Sequence, residues 1–96
     1  MYCSMNKFVN TVTLQGQIID IHTHDIYKDR CVCFVLGVEH NRIECFITKS
    51  QDPDFYLQVT AGKVNIGSWV RLEGFLHVLP NILNNVICTT VAVLPE

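Results

Sequence analysis

The sequence predicts an all-β fold, a five-stranded barrel with one short helix between strands three and four. Apolar and polar residues alternate along five separate segments, which is typical of half-buried strands. The first and fourth segments each contain an interior glycine, as strands do where they bend around a barrel. The strand pattern breaks at residues 51–54, where acidic residues flank Pro53, a combination that suits the start of a helix.

Each element follows from its local pattern. The predicted strands cover residues 8–22, 31–38, 42–49, 67–78 and 86–94. Gly16 and Gly74 are the interior glycines of the first and fourth strands. A polar connection over residues 23–30 leads to the second strand, and a turn at residues 39–41 joins the second and third strands into a hairpin. The short helix is predicted over residues 55–63.

Composition and charge limit the classes of function. The chain has 96 residues, of which 49% are hydrophobic and 17% charged, and its formal net charge is −2. These values exclude intrinsic disorder and fit one domain over residues 1–96, with residues 1–6 frayed. They also argue against a strongly basic, non-specific nucleic-acid binder. Because neither a membrane span nor an apolar signal core is visible, we expect a cytoplasmic protein without a membrane partner.

Five strands with a helix between the third and fourth are typical of the OB-fold, a small and partly open Greek-key barrel. The two long strands bent at glycine favour a closed barrel over a flat sheet. SH3-like barrels are the structural alternative. They tend to have shorter strands, and a helix at this place would be unusual for them.

Four segments resemble bacterial single-stranded DNA-binding proteins, to which the dimeric primosomal replication protein N is related. The similar segments are residues 10–18 (NTVTLQGQI), 39–46 (EHNRIECF), 66–76 (IGSWVRLEGFL) and 88–92 (CTTVA), which match the opening, third, fourth and last strands of that family. The resemblance implies a homodimeric or homotetrameric OB-fold protein that binds single-stranded DNA in replication, repair or mobile-element transfer. The chain departs from the family at His40, where the family carries a base-stacking aromatic residue.

Strand alternation places aromatic and basic side chains on the outer face of the barrel. Along the third strand the apolar residues point inward and leave Phe46 outside. A turn centred on His40 pairs Phe34 with Phe46, so we expect both rings on that face. The same alternation places Arg71 and Phe75 outward. The candidate nucleic-acid-binding residues are Lys7, Phe34, His40, Arg42, Phe46, Lys49, Arg71, Phe75 and His77. Rings would stack on bases and cations would contact phosphates.

A protein interface is the competing interpretation of this face, because a contiguous apolar patch usually marks a partner. For Trp69, early in the fourth strand, we favour a role in packing or in an interface over base stacking. The alternative function is therefore an OB-fold interaction subunit of a primosome, helicase or recombination complex, with a replication helicase or primase as partner and little DNA binding of its own. Single-stranded RNA remains a third ligand, since an OB surface does not by itself select the sugar.

Two close pairs, His22 with His24 and Cys31 with Cys33, have metal-binding residue types. Members of each pair are two residues apart and face one way on a strand, whereas zinc ribbons use two-residue spacers on turns. The alternation that places Phe34 outside also places both cysteines in the core. We therefore predict no metal site and no cofactor. The sequence shows no nucleophile–base order, phosphate-binding loop or fixed carboxylate pair, so we predict no catalytic residue and no enzyme.

Overall fold

Alternating apolar and polar residues form five strands that close into a barrel in a computed structural model, which describes residues 9–26, 28–77 and 85–95. The elements are β1 (Val12–Ile26), β2 (Asp29–Val38), β3 (Asn41–Thr48), α1 (Pro53–Thr60), β4 (Trp69–Leu76) and β5 (Asn85–Val93). Around the barrel the order is β1-β2-β3-β5-β4, and β3 and β5 run parallel whereas the other neighbours are antiparallel. The predicted five-stranded OB-fold, with its helix between strands three and four, is confirmed. Lys7 and the predicted frayed residues 1–6 lie outside the described residues.

The two interior glycines lie where a side chain would collide with the backbone of a neighbouring strand. β1 pairs with β4 over residues 12–17 and then with β2 over residues 17–26. At Gly16, just before this change of partner, a Cβ atom would collide with the carbonyl oxygen of Gly37. At Gly74, beside a register shift between β4 and β5, a Cβ atom would collide with the carbonyl oxygen of Ile87. Both glycines therefore permit the strand geometry that closes the barrel.

The β1–β2 hairpin is longer than the sequence predicts. Residues 23–26 and 29–30, expected in a polar connection, pair across the hairpin, and Ile26 lies opposite Asp29. The side chains of residues 22–25 are all exposed, so this part of β1 lacks the apolar alternation that reveals a half-buried strand. Arg30 lies opposite Asp25 and forms an ion pair with it at 3.3 Å.

The core fills the inside of the barrel and the gap beneath α1. Its buried members are Ile18, Val32, Phe34, Leu36, Cys45, Ile47, Phe55, Tyr56, Val64, Val70, Leu72, Val86, Cys88 and Val91. The Phe34 ring is 2% exposed and packs against Phe55 of α1, with ring centroids 5.8 Å apart. The prediction that Phe34 lies on the outer face is therefore wrong.

The reason is the length of the β2–β3 turn. Glu39 and His40 alone form the loop, and Val38 pairs with Asn41. This register places Cys33, not Phe34, opposite Phe46. A shift of one residue moves every side chain of β2 to the other face. Glu39 accommodates the tight loop with a φ of +57°, an uncommon conformation for a residue other than glycine.

α1 (Pro53–Thr60) begins two residues before the predicted range of 55–63 and ends three residues before its end, but the predicted start signal at Asp52 and Pro53 is present. The Asp52 carboxylate accepts a hydrogen bond from the Phe55 backbone N–H at 3.1 Å, and Pro53 is the first helical residue. Phe55 and Tyr56 are the buried residues of the helix. Within the described ranges, the structure contains no helix of the length and apolar character needed to cross a bilayer.

Candidate nucleic-acid interface

A groove of about 390 Å³ crosses the outer face of β2, β3 and β5. Its lining consists of Asp20, His22, Cys33, Phe34, Val35, Glu44, Cys45, Phe46, His77, Asn85, Val86 and Ile87. Phe34, Cys45 and Val86 also belong to the buried core. These buried residues form the floor of the groove, and the outward side chains of the strands form its walls.

One row of outward side chains crosses the barrel through this groove. The strand register places His22 opposite Cys33, Cys33 opposite Phe46, Phe46 opposite Ile87, and Ile87 opposite Phe75. Directly opposed residues of neighbouring strands point to the same face. Phe46 is half-buried and Phe75 is 38% exposed. The row therefore offers two aromatic rings with an aliphatic side chain between them.

The charge of the groove comes from carboxylates. Asp20 and Glu44 are both exposed and line it, and no lysine or arginine is among the described lining residues. Arg42 precedes Glu44 by two residues on the same face of β3 and is exposed. Within residues 9–26, 28–77 and 85–95, the structure records no ion pair for Arg42. Arg42 is therefore the cation best placed to meet a phosphate near the groove.

The remaining candidate residues do not gather at the groove. His40 is exposed in the β2–β3 turn. Lys49 follows β3, and its Nζ atom lies 5.4 Å from the centre of the Tyr56 ring, on the helix side of the barrel. Arg71 is exposed on β4 opposite Gln15 of β1. Of the predicted set, Phe34, Phe46 and His77 line the groove, with Phe34 in its buried floor. Phe75 lies beside the groove, opposite Ile87, and Arg42 is on the same face of β3 as Phe46.

A cluster of imidazoles and thiols lies at one end of the row. On the β1–β2 hairpin His22 is opposite Cys33, and His24 is opposite Cys31. The Sγ atom of Cys33 lies 3.2 Å from Nε2 of His24, and the rings of His22 and His24 meet edge to face with centroids 5.3 Å apart. Cys33 is half-buried on the outer face, so the prediction that it points into the core is wrong.

The two thiols of this cluster have different surroundings. Burial, and then the neighbouring Cys31 thiol, raise the pKa of Cys33 to about 11. Cys31 has no exposed surface, and its thiol donates to the backbone carbonyl of His24 at 3.2 Å. Burial raises the pKa of Cys31 as well. Both shifts favour the protonated thiol.

Most residues of the groove, among them Cys33, Val35 and Ile87, were not predicted from the sequence. Cys33 and Val35 alternate with buried residues along β2, but this alternation places them on the outer face only if the β2–β3 loop has two residues. Ile87 reaches the groove because β5 runs parallel to β3, and a pairing between strands so far apart in the chain leaves no local signal.

The comparisons support the fold. The chain is similar to OBody NL8 bound to hen egg-white lysozyme, with a TM-score of 0.63 and 11% identity over 92% of this chain and 97% of that chain. It is also similar to a chain of the S. pombe Stn1-Ten1 complex, with a TM-score of 0.61 and 15% identity over 92% of this chain and 60% of that one. No protein-family profile matches, and no curated protein matches. At these identities the likeness concerns the OB-fold barrel alone.

Proposed function

We propose that the protein binds single-stranded DNA along the groove, without sequence specificity, in DNA replication, repair or mobile-element transfer. The observation that carries this proposal is the row in which Phe46, Ile87 and Phe75 cross three neighbouring strands. The groove covers the β2–β3 face, the surface on which OB-folds bind oligonucleotides. The part that concerns replication, repair or transfer rests on the sequence resemblance to bacterial single-stranded DNA-binding proteins.

Stacking supplies most of the binding in this mechanism. Phe46 and Phe75 offer ring faces, and each stacked base contributes about 1–3 kcal/mol whatever its identity. Arg42 contacts a phosphate near the groove. Asp20 and Glu44 repel the backbone, which keeps phosphates at the margin and leaves the apolar floor to the bases.

Fluorescence anisotropy with a labelled 30-nucleotide poly-dT strand tests this proposal. We expect saturable binding that Phe46→Ala weakens by about 5- to 150-fold, the equivalent of one stacked base. Leu57→Ala is the matched control, because Leu57 is 56% exposed on α1 and does not line the groove. Thermal melts of both variants separate a loss of contact from a loss of fold. Equal affinity of Phe46→Ala and wild type, with both folded, would contradict the stacking role.

A protein partner is the second candidate ligand, and the charge of the groove favours it. Two carboxylates and no described lysine or arginine line the apolar groove, which suits a basic, hydrophobic protein segment better than a phosphate chain. In this case the protein is an interaction subunit of a primosome, helicase or recombination complex. Two results together would select this function. The protein would bind no oligonucleotide, and it would copurify with a helicase or primase in a way that Phe46→Ala abolishes.

Two further features belong to the proposal. Self-association as a homodimer or homotetramer would join neighbouring grooves and raise the affinity for a long strand. Trp69 and Leu76 are exposed apolar residues of β4 outside the row that binds bases, and such an interface would cover them. Sedimentation equilibrium measures its stoichiometry. Matched poly-dT and poly-U strands determine whether the groove selects DNA or RNA.

A further inference from the structure

We propose that His22, His24 and Cys33 form a binding site for a Zn²⁺ ion on the outer face of the β1–β2 hairpin. The site follows from the hairpin geometry alone. His22 and His24 are two residues apart on β1 and point to the same face, and Cys33 lies opposite His22 on β2. The site does not depend on the proposed nucleic-acid function.

The donor atoms are already gathered. One ring nitrogen from each histidine and the Sγ atom of Cys33 all lie within 4.8 Å of one another. Ligand atoms around one tetrahedral zinc ion are about 3.5 Å apart, as follows from bond lengths of about 2.1 Å to nitrogen and 2.3 Å to sulfur. Cys33 Sγ and His24 Nε2 are already 3.2 Å apart, so small side-chain rotations would complete the geometry.

The donor set and its exposure favour zinc over other metals. Imidazole and thiolate donors suit Zn²⁺, whereas Mg²⁺ and Ca²⁺ require oxygen ligands. Both histidines are exposed, so an ion can reach the site from solvent and a water molecule can take the fourth position.

Cys31 differs from Cys33 and supports the site without being a ligand. Its thiol is fully buried and donates to the carbonyl oxygen of His24. That bond restrains the backbone of His24, whose ring supplies one of the donor atoms. The two cysteines of β2 therefore have different roles: Cys33 is a ligand and Cys31 supports the backbone. Serine variants of each can distinguish these roles.

Titration of the untagged, reduced protein with Co²⁺, and then with Zn²⁺ in competition, tests the site. Co²⁺ bound by a thiolate and two imidazoles gives intense visible bands and a near-ultraviolet sulfur-to-metal charge-transfer band. We expect one equivalent of Co²⁺ to produce both and one equivalent of Zn²⁺ to remove them. The absence of these bands at saturating Co²⁺, or a stoichiometry far from one, would overturn the proposal.

Variants assign the ligands. Cys33→Ser should abolish the charge-transfer band, and His22→Asn and His24→Asn should each weaken binding at least tenfold. Cys31→Ser should keep the band, because serine can donate the same hydrogen bond. His40→Asn, in the β2–β3 turn, and Cys3→Ser, which removes a thiol near the terminus, are further controls that should keep it. Loss of the band in Cys31→Ser as in Cys33→Ser, or its persistence in Cys33→Ser, would show the three-ligand assignment to be wrong.

Discussion

Asp52 connects two parts of the structure through one carboxylate. Its Oδ1 atom accepts from the Phe55 backbone N–H at the start of α1, and its Oδ2 atom accepts from the Val91 backbone N–H of β5 at 3.2 Å. Val91 is buried, so its N–H would lose its partner without gaining water. The residue that caps the helix therefore also holds the helix against the barrel.

Substitution of Asp52 should separate these two bonds. Asp52→Asn keeps one acceptor oxygen and should lower the free energy of unfolding by about 1 kcal/mol. Asp52→Ala removes both acceptors and should cost about 2–3 kcal/mol, the sum of a lost cap and an unpaired buried N–H. Urea denaturation measures both.

Asp54→Asn is the matched control, because Asp54 is an exposed carboxylate in the first turn of α1. It should change stability by less than about 0.5 kcal/mol. Equal costs for Asp52→Asn and Asp52→Ala would contradict this prediction, because they would mean that the oxygen kept by asparagine contributes nothing.

At the scale of strands, Gly74 controls how β4 and β5 fit together. The register between these strands shifts at Glu73 and Gly74, and the backbone of Ile87 occupies the space that a side chain would need. Ile87 is also the aliphatic member of the row across the groove. A change at Gly74 should therefore affect both the barrel and the site.

Gly74→Ala should destabilise the protein by about 1–3 kcal/mol, because the new methyl group meets backbone, which cannot rotate away. Gly62→Ala is an informative control: a Cβ there meets nothing within 4 Å, but its φ of +77° adds backbone strain alone. Thermal melts measure both. An unchanged melting temperature for Gly74→Ala would mean that β5 moves freely away from β4.

The strands β2 and β3 show why the fold could be predicted from the sequence and the site only in part. Alternation along β3 and the cap of α1 are local signals, and they led to the correct faces and helix. The register of β2 depends on whether its loop has two or three residues, and Glu39 gives no sign of the positive φ that permits two. Because the predicted register is wrong by one residue, Phe34 is buried instead of outward, and Cys33 is half-buried on the outer face instead of in the core. Cys33 therefore takes the outward position predicted for Phe34, whose buried ring lies in the floor of the groove.

For the whole molecule, the distribution of charge limits how the barrel can hold a phosphate chain. The chain has 7 basic and 9 acidic residues. Among the described basic residues, Arg30 is engaged with Asp25 and with the hydroxyl of Tyr56 at 3.3 Å, and Lys49 lies over the Tyr56 ring. Of the basic residues in the described ranges, Arg42 lies near the groove, two residues before Glu44 on the same face of β3. Single-stranded DNA should therefore bind with few phosphate contacts.

This distribution predicts a shallow salt dependence that one residue controls. Each phosphate neutralised on a single strand contributes about −0.7 to the slope of log K against log salt concentration. We expect a slope per protomer between about −0.7 and −2, and Arg42→Ala should reduce its magnitude by about 0.7. Lys63→Ala removes an equal charge away from the groove lining and should leave the slope unchanged. A steep slope that both variants reduce equally would instead indicate diffuse attraction to the whole surface, and the groove would then not be the path of the strand.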